Sequence, residues 1–343
     1  MHGAHLIAFI TGLMFFLWFI KVFFIVPQAK LTGLKNKRIL VTGGAGFIGH
    51  HTIMELMSHG ADVVGIDNFN DYYNVSLKLE RAEISNVVQN VDVCDSERID
   101  ELFSIHDFTN VIHLAAQAGV RYSIDHPQAY VKSNVECFVQ LFEVLRDKNV
   151  PLVYASSSSV YGKNTKVPFS EKDAVINPVS LYAATKRENE LLAHVYWDMH
   201  GIKSMGLRFF TVYGSMGRPD MAYYSFTKNI VEGKPIPVFN NGKLSRDFTY
   251  ITDIVDGIVR SLQVDFDYEI VNLGRGEPQE LMDFIKTIEH AVGKKAIIEF
   301  SGMSKGDVLT TYADISKARG LLGYEPKVSL QEGITKFVEW YKK

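Results

Sequence analysis

The stretch RILVTGGAGFIGH, Arg38 to His50, has the pattern of a strand, a glycine-rich turn and a helix. Apolar residues fill its first part, and glycines follow at Gly43, Gly46 and Gly49. Glycines at this spacing permit a tight turn and let the backbone approach a pyrophosphate, while the first turn of the helix supplies amide donors. The stretch therefore predicts a dinucleotide-binding turn after the first strand of a parallel sheet.

The next predicted strand indicates which dinucleotide binds. The segment ADVVGID, residues 61–67, ends in Asp67, about 20 residues beyond the glycines, where a carboxylate can accept hydrogen bonds from ribose hydroxyls. The same carboxylate would repel a 2′-phosphate. We therefore expect NAD as the cofactor rather than NADP.

Short apolar runs alternate with helical segments along the first half of the chain. The predicted strands are RILVT (38–42), ADVVGID (61–67), VIHLAA (111–116) and PLVYAS (151–156), with helices such as Phe47–Ser58 and Gln128–Arg146 between them. This alternation is typical of a parallel sheet covered by helices on both faces. The expected fold class is α/β: a Rossmann-like doubly wound parallel sheet with a smaller C-terminal substrate-binding lobe, preceded by a single N-terminal hydrophobic helix.

The predicted domain organisation has three parts. Residues 1–30 form an N-terminal transmembrane anchor, residues 36–180 the NAD-binding core, and residues 181–343 the substrate-binding lobe. Two later predicted strands, MGLRFF (205–210) and YEIVNLG (268–274), are expected to return from the lobe to the core.

The anchor prediction rests on the apolar run from Leu6 to Val26, in which Lys21 is the only charge. Its length matches the roughly 20 residues that span a bilayer. The basic residues nearby follow the run rather than precede it, and the positive-inside rule then places the larger part of the chain in the cytoplasm. We expect a single-pass membrane protein that has a lipid bilayer as a partner. The alternative is a buried core helix.

Composition excludes several classes of function. A formal net charge of −3 and a pI near 6.4 argue against a nucleic-acid partner. The eleven histidines show no metal-ligand spacing, so no metal is expected. Cys94 and Cys137 are too few for a disulfide framework, and a reducing compartment is the simpler interpretation.

The glycine spacing, together with the YAATK segment from Tyr182 to Lys186, resembles the extended short-chain dehydrogenase/reductase superfamily. Residues four apart share one face of a helix. In that superfamily the lysine holds the nicotinamide ribose and lowers the pKa of the tyrosine, which then acts as a base near neutral pH. The resemblance implies these roles for Lys186 and Tyr182.

Further segments narrow the resemblance to the UDP-glucuronate 4-epimerases, over a range that extends from about Lys37 to the C-terminus. The segments are DNFNDYYNVSLK, HLAAQAGVRYS, RFFTVYG, GRPDMA, RDFTYI and TYADISKA. Ser215 stands where a proline is common in that family, and Thr252 replaces an acid. The resemblance implies NAD-dependent inversion of C4 of UDP-glucuronate, giving UDP-galacturonate, and a homodimer formed through a pair of helices.

The segment YASSSSVYG places four serines, Ser156 to Ser159, at the end of a predicted buried strand. The resemblance implies that Ser157 contacts the reacting C4 hydroxyl. Related dehydratases carry Asp-Glu at the next two positions, and decarboxylases carry a Glu at the second. Ser158 and Ser159 offer neutral donors to a substrate carboxylate instead. Ser156 is expected to be structural, and the alternative is that Ser158 and Ser159 only cap a turn.

The resemblance assigns a complete set of candidate site residues. The catalytic residues are Ser157, Tyr182 and Lys186. The cofactor-binding residues are Gly43, Gly46, Phe47, Ile48, Gly49, Asp67, Asn68, Asp92, Val93, Leu114, Ala115, Ala116 and Asn134, with Tyr182 and Lys186. The substrate-binding residues are Ser158, Ser159, Thr211, Arg218, Arg246 and Asp307, of which Arg246 and Asp307 are expected at the diphosphate and the uridine ribose.

Three other functions remain open. A UDP-glucose/galactose 4-epimerase would use the same catalytic residues but would have no need of Ser158, Ser159 and Arg218 around a carboxylate. A UDP-glucuronate decarboxylase is disfavoured by Ser159. A non-catalytic, membrane-tethered nucleotide-binding scaffold is disfavoured by the intact Ser157, Tyr182 and Lys186.

Overall fold

The structure, a computed structural model, describes residues 33–302 and 308–343. The strands are β1 Arg38–Thr42, β2 Asp62–Asp67, β3 Val88–Asn90, β4 Asn110–His113, β5 Leu152–Ser157, β6 Ser204–Phe209, β7 Thr211–Tyr213, β8 Pro235–Phe239, β9 Ser245–Tyr250, β10 Tyr268–Leu273, β11 Pro278–Glu280, β12 Ile297–Ser301 and β13 Thr310–Thr311. The α-helices are α1 Phe47–Ser58, α2 Ser76–Ser85, α3 Ser96–Ile105, α4 Tyr122–Asp125, α5 Pro127–Tyr130, α6 Cys137–Leu145, α7 Leu181–His200, α8 Ala222–Glu232, α9 Ile251–Ser261, α10 Leu281–Val292, α11 Ser316–Leu322 and α12 Leu330–Tyr341.

A seven-stranded parallel sheet forms the centre of the described chain, with the strand order β10-β6-β5-β4-β1-β2-β3. Val41 of β1 pairs with Gly65 of β2 on one side and with Ile112 of β4 on the other. The order reverses at β1, as in doubly wound folds, and ligands bind at such a point beyond the carboxyl ends of the strands. The predicted Rossmann-like α/β fold is confirmed.

The central strands read as continuous apolar runs because helices cover both faces of the sheet. Ile39, Leu40 and Val41 of β1 are fully buried. One face of the sheet packs against α6 and α7. Phe138 of α6 contacts Phe142 on its own helix and Tyr154 of β5. The two strands predicted to return from the second half do so, as β6 and β10.

The second half also builds two small sheets outside the central one. Strand β9 pairs with β7, β11 and β13, and β8 pairs with β12. Residues 33–343 cluster as one compact unit. The division at residue 180 into a cofactor core and a substrate lobe therefore stays a prediction.

Two local features differ from the sequence analysis. The predicted helix from Gln128 to Arg146 contains a π-helical turn at Val131–Glu136, between α5 and α6. Cys94 and Cys137 are joined in a disulfide that links the segment after β3 to the start of α6, whereas two reduced cysteines were expected. Spacing in the sequence could not reveal that the fold brings residues 43 positions apart together.

The structure also corrects the predicted localisation. Within residues 33–302 and 308–343, no helix is long and apolar enough to cross a bilayer. The run from Leu6 to Val26, on which the predicted anchor and hydrophobic helix rest, lies outside the described residues. The predicted localisation, a single-pass membrane protein with a cytoplasmic catalytic part, is wrong on this finding. The bilayer partner stays a prediction.

A buried ion pair fixes α7 to the sheet. The carboxylate of Glu190 on α7 accepts hydrogen bonds from Arg208 of β6 at 2.7 and 2.8 Å, and both side chains are almost completely buried. Ser156 of β5 donates to the same carboxylate at 2.6 Å, and Arg187 donates at 2.9 Å. Burial alone would raise the pKa of Glu190, but Arg208 and Ser156 lower it below its usual value. The charged carboxylate thus joins one helix to two strands.

We predict that Glu190→Ala lowers the free energy of unfolding by about 3–5 kcal/mol, because Arg208 would remain buried without its counter-charge. Guanidinium denaturation measures the effect. The matched control is Glu101→Ala, which breaks an exposed pair with Arg98 and should cost less than about 1 kcal/mol. Equal losses in the two variants would show that the buried pair does not hold the helix.

Candidate active site

A cavity of about 410 Å³ lies beyond the carboxyl ends of the central strands. The glycine turn after β1 forms one wall of it. Gly43 has φ +69°, and a Cβ atom there would lie 2.7 Å from the backbone nitrogen of Ala115. A Cβ atom on Gly49 would collide with the carbonyl oxygen of Gly43. Only glycine fits these positions, and the resulting close backbone approach suits a dinucleotide pyrophosphate at the start of α1.

Asp67 ends β2 at the edge of the cavity, as predicted. One carboxylate oxygen accepts a hydrogen bond from the backbone N–H of Ala45 at 3.2 Å, and the other accepts from Phe69 at 2.8 Å. Asn68 donates to Asp92 at 3.0 Å, which brings two predicted cofactor-binding residues together. The carboxylate of Asp67 is therefore held at the end of the strand, where a ribose diol of NAD would meet it.

Lys78, which was not among the predicted site residues, lines the cavity beside Asp67. Its ammonium lies 3.9 Å from the Asp67 carboxylate, donates to Asn70 at 2.8 Å and lies over the ring of Tyr73. The signal in the sequence that could have identified it is the DNFNDYYNVSLK segment, which begins at Asp67 and ends at Lys78.

Tyr182 and Lys186 both reach the cavity from the first turns of α7. The helix begins after Ser180, whose side chain accepts a hydrogen bond from the backbone N–H of Ala183 at 3.1 Å. Lys186 is buried and donates to the carbonyl oxygen of Ala155 in β5 at 2.8 Å. Burial lowers the pKa of Lys186 to about 8, because the low dielectric disfavours its charge.

The pKa of Tyr182 differs from the expectation. Burial raises it above the usual value, while a hydrogen bond with Ser157 and the positive charge of Arg218 oppose that rise. The resemblance implied a pKa lowered by Lys186. In the described site, burial is the largest influence, and the serine and the arginine are the groups that favour the phenolate.

The serine run divides into three environments. Ser156 donates to Glu190 and is buried, in line with its expected structural role. Ser157 ends β5 and lies beside Tyr182. Ser158 and Ser159 begin a 3₁₀ helix, Ser158–Tyr161, and both line the cavity. The backbone N–H of Ser159 donates to the Ser157 hydroxyl at 3.2 Å, so the run also caps a turn.

Arg218 reaches the same cavity from the loop after β7. Its guanidinium donates to both carboxylate oxygens of Asp220 at 3.0 and 2.5 Å, and Tyr72 donates to one of them at 3.1 Å. Burial alone would raise the pKa of Asp220, but Arg218 and Tyr72 lower it below its usual value. Asp220 and Tyr72 were not among the predicted site residues, and they fix the direction of the guanidinium.

The structure gathers most of the predicted residues along this one cavity. The lining includes Gly43, Gly46, Phe47, Ile48, Gly49, Asp67, Asn68, Asp92, Val93, Leu114, Ala115, Ala116, Ser157, Ser158, Ser159, Tyr182, Lys186, Thr211 and Arg218. Their individual roles stay predictions.

Two predicted residues are not part of the cavity lining, and a third is outside the described residues. Asn134 lies behind the cavity in the π-helical turn, where its side chain accepts from the backbone N–H of Gln117 at 2.8 Å and donates to Thr185 at 3.1 Å. It holds the loop after β4 against α7. Arg246 lies in β9, away from the cavity wall, and donates to the carbonyl oxygen of Leu309 at 3.1 Å. Asp307 lies outside the described residues.

A doubly wound sheet, a glycine turn at its reversal point and a serine–tyrosine–lysine group in the adjoining cavity define a dinucleotide-dependent enzyme of the short-chain dehydrogenase/reductase type. Residues 39–274 match the NAD dependent epimerase/dehydratase family, and the chain belongs to that family. The resemblance stated from the sequence is confirmed, and so is NAD as the cofactor.

Three proteins to which the chain is similar are sugar-nucleotide 4-epimerases. UDP-glucuronate 4-epimerase 4 of Arabidopsis thaliana is 47% identical over 328 residues, covering 88% of this chain and 75% of that protein. The crystal structure of UDP-glucuronic acid 4-epimerase from Bacillus cereus, in complex with UDP-glucuronic acid and NAD, superposes with a TM-score of 0.84 at 36% identity, covering 89% of this chain and 99% of that chain. UDP-glucose 4-epimerase from Thermotoga maritima, with UDP-glucose, gives a TM-score of 0.83 at 30% identity, covering 89% of this chain and 98% of that chain.

The burial of Lys186 predicts a pH dependence of stability. Its pKa is about 8 in the folded protein and 10.5 when unperturbed, so between these values the unfolded chain binds more protons. The free energy of unfolding should therefore gain a positive contribution as pH rises from 8 to 10.5, of up to about 1.4 kcal/mol per pH unit.

Urea denaturation of the cofactor-free protein across this range tests the prediction. Lys186→Met should lose the contribution, and Lys295→Met, which removes an exposed lysine, should retain it. If Lys186→Met and the wild-type protein show the same pH slope, the ammonium of Lys186 is not desolvated in the folded state.

Proposed function

We propose that this protein is an NAD-dependent UDP-glucuronate 4-epimerase, which interconverts UDP-glucuronate and UDP-galacturonate through a transient 4-keto sugar. The proposal rests on one observation: a single cavity is lined by Tyr182, Ser158, Ser159 and Arg218. A base for the C4 hydroxyl thus lies in the same cavity as neutral donors and a cation suited to a C6 carboxylate. The relatives named above support the same substrate.

The side chains account for the proton transfers. Tyr182 takes the proton of the C4 hydroxyl, and Ser157, hydrogen-bonded to Tyr182, can both donate and accept along that path. NAD, when bound, supplies the reversible hydride acceptor. Lys186, buried one turn further along α7, would hold the nicotinamide ribose. After the ketone has turned over, the hydride returns to C4 and the proton returns from Tyr182, so the overall reaction involves no net redox change.

The ketone must turn over inside the cavity while its diphosphate stays bound. Arg246 and Asp307 are proposed to hold the diphosphate and the uridine ribose, and Thr211 to contact the sugar. A bidentate arginine suits a diphosphate, and a carboxylate suits a diol. Asn134 is proposed to act indirectly, through the loop it holds beside the cofactor.

Arg218 supports the acidic sugar in particular. Asp220 and Tyr72 fix its guanidinium at the cavity wall, which limits the entropy lost when a substrate carboxylate binds. In a partly buried site the attraction between guanidinium and carboxylate is stronger than in water. Ser158 and Ser159 add donors without the repulsion that a fixed acid would cause.

The neutral-sugar epimerase is the second candidate, because the Thermotoga maritima UDP-glucose 4-epimerase, solved with UDP-glucose, shares the fold. A C6 hydroxyl would leave Arg218 without a charged partner from the substrate, and such polar mismatches discriminate strongly. The decarboxylase is disfavoured because Ser159 occupies the wall where an acid would be required.

We predict that the purified protein converts UDP-glucuronate to UDP-galacturonate with no carbon dioxide and no UDP-pentose. Deuterium at C4 of the substrate should remain at C4 of the product, since the same hydride returns. UDP-glucose should turn over far more slowly. Chromatography and mass spectrometry of the products provide the measurement.

Tyr182→Phe is the control for the chemistry. It should lower turnover by about 10² or more, as expected for loss of a general base, while NAD remains bound. Release of carbon dioxide would assign a decarboxylase, and UDP-glucose turnover equal to that of UDP-glucuronate would assign the neutral-sugar enzyme.

We further propose that two copies of this chain form a homodimer through α7. Leu191, Val195 and Met199 are 52%, 46% and 67% exposed, and their spacing of four residues places them on one face of that helix. An exposed apolar stripe along a helix is typical of a helix-pair interface.

Val195→Glu should shift the protein from dimer to monomer in sedimentation equilibrium, because a charge at the centre of the stripe would have to be desolvated. Ile176→Glu, which places the same charge at a residue that is 76% exposed in a loop, is the control and should leave the dimer intact. A monomeric wild-type protein would contradict the proposed homodimer.

A further inference from the structure

Arg81 on α2 is a buried cation that contacts only neutral groups among the described residues. It is fully buried, yet its hydrogen-bond acceptors include no described carboxylate. Its guanidinium donates to the carbonyl oxygen of Ala45 at 3.0 Å and to the hydroxyl of Tyr73 at 2.7 Å. It donates to the carbonyl oxygen of Met216 at 3.1 and 2.6 Å, and to that of Gly217 at 3.3 Å.

These acceptors belong to the two halves of the site. Ala45 lies in the glycine turn, and Tyr73 follows β2 beside Lys78. Met216 and Gly217 directly precede Arg218. One rigid, planar side chain therefore spans segments that are 36 and 135 residues from it in the chain. A guanidinium is suited to this because its donors point in fixed directions.

The loop that Arg81 holds is conformationally strained. Met216 has φ +57°, in the left-handed region that residues with side chains rarely adopt. Gly217 has no space for a side chain, because a Cβ atom there would collide with the hydroxyl of Tyr223. His51 on α1 provides a second link, with its ring nitrogen 2.9 Å from the carbonyl oxygen of Ser215. Such a conformation persists only where its surroundings fix it.

We propose that Arg81 is a positioning residue that couples the two halves of the site by holding the loop before Arg218 against the glycine turn. The inference rests on the proposed function, since it takes Arg218 as a group that binds the substrate carboxylate. Arg81 does not line the cavity, so it acts through the loop and not by contact with the ligand. Its loss moves the guanidinium of Arg218 relative to the bound cofactor.

Arg81→Lys tests the proposal, because a lysine keeps the charge but cannot reach the separate carbonyl groups with one ammonium. The matched control is Arg260→Lys. Arg260 is also buried, donates to Asp256 and to the carbonyl oxygen of Leu322, and is not part of the cavity lining. Thermal denaturation reports the loss of stability in each variant, and calorimetry with NAD-loaded protein reports the dissociation constant of UDP-glucuronate.

Both variants should unfold at a lower temperature than the wild-type protein. Only Arg81→Lys should raise the dissociation constant and the KM for UDP-glucuronate, by about tenfold or more, with a smaller change in kcat. A purely structural defect would reduce the active fraction and leave the affinity of the folded molecules unchanged.

A second substitution separates loop position from general damage. Met216→Gly should recover part of the affinity lost in Arg81→Lys, because glycine adopts φ +57° without steric cost. In the wild-type background the same substitution should change the dissociation constant by less than about twofold.

The proposal is overturned if Arg81→Lys binds UDP-glucuronate within twofold of the wild-type protein, or if Arg260→Lys loses as much affinity. A wild-type protein that binds UDP-glucuronate without epimerising it would refute the proposed function alone. The role of Arg81 could still be tested, because the dissociation constants of the wild-type protein and Arg81→Lys could still be compared. A wild-type protein that does not bind UDP-glucuronate would overturn both.

Discussion

The buried carboxylate of Glu190 is the interaction on which the arrangement of the site depends. A charge can be buried in a protein only if hydrogen bonds and a counter-charge replace its hydration. Glu190 obtains these from Arg208 of β6 and Ser156 of β5, so α7 can lie only where all three meet. Tyr182 and Lys186 lie two turns and one turn before Glu190 on the same helix. Their height above the carboxyl edge of the sheet is set by that contact.

The same burial sets the protonation chemistry of the neighbouring groups. Desolvation lowers the pKa of Lys186 to about 8 and raises that of Tyr182, so the two residues titrate further apart than they would in water. His113, below them on β4, has its pKa lowered to about 3 by burial and by the charge of Lys186, and stays neutral. Its ring nitrogen lies 2.8 Å from the hydroxyl of Thr42. A phenolate at Tyr182 is favoured by the hydrogen bond with Ser157 and by the positive charge of Arg218.

The sequence was sufficient to predict the parts of the site whose chemistry is local. The glycine turn is recognisable because few contacts require its glycines. A side chain at Gly49 would collide with Gly43, and one at Gly43 would collide with Ala115 after the neighbouring strand. Asp67 is recognisable because it ends a strand at a fixed distance from that turn. Arg81, Tyr72 and the Cys94–Cys137 disulfide were not predicted, because each depends on segments that only the folded chain brings together. Arg81 meets Met216 across 135 residues, and no pattern in its own helix distinguishes it from a surface arginine.

The four serines at the end of β5 have the same chemistry but face different parts of the structure. Side chains on a strand alternate between faces, so Leu152, Tyr154 and Ser156 point together toward α7, where Ser156 meets Glu190. Ser157 is the last residue of β5 and lies at the carboxyl edge, beside Tyr182. The backbone then turns into a 3₁₀ helix, which directs Ser158 and Ser159 to the cavity. Four identical residues therefore have different environments: Ser156 bonds to Glu190 inside the fold, whereas Ser157 is proposed to take part in proton transfer. Only at Ser158 and Ser159 would the chemistry of the sugar C6 group select the side chain, so the choice between an acidic and a neutral substrate rests on those two residues and Arg218.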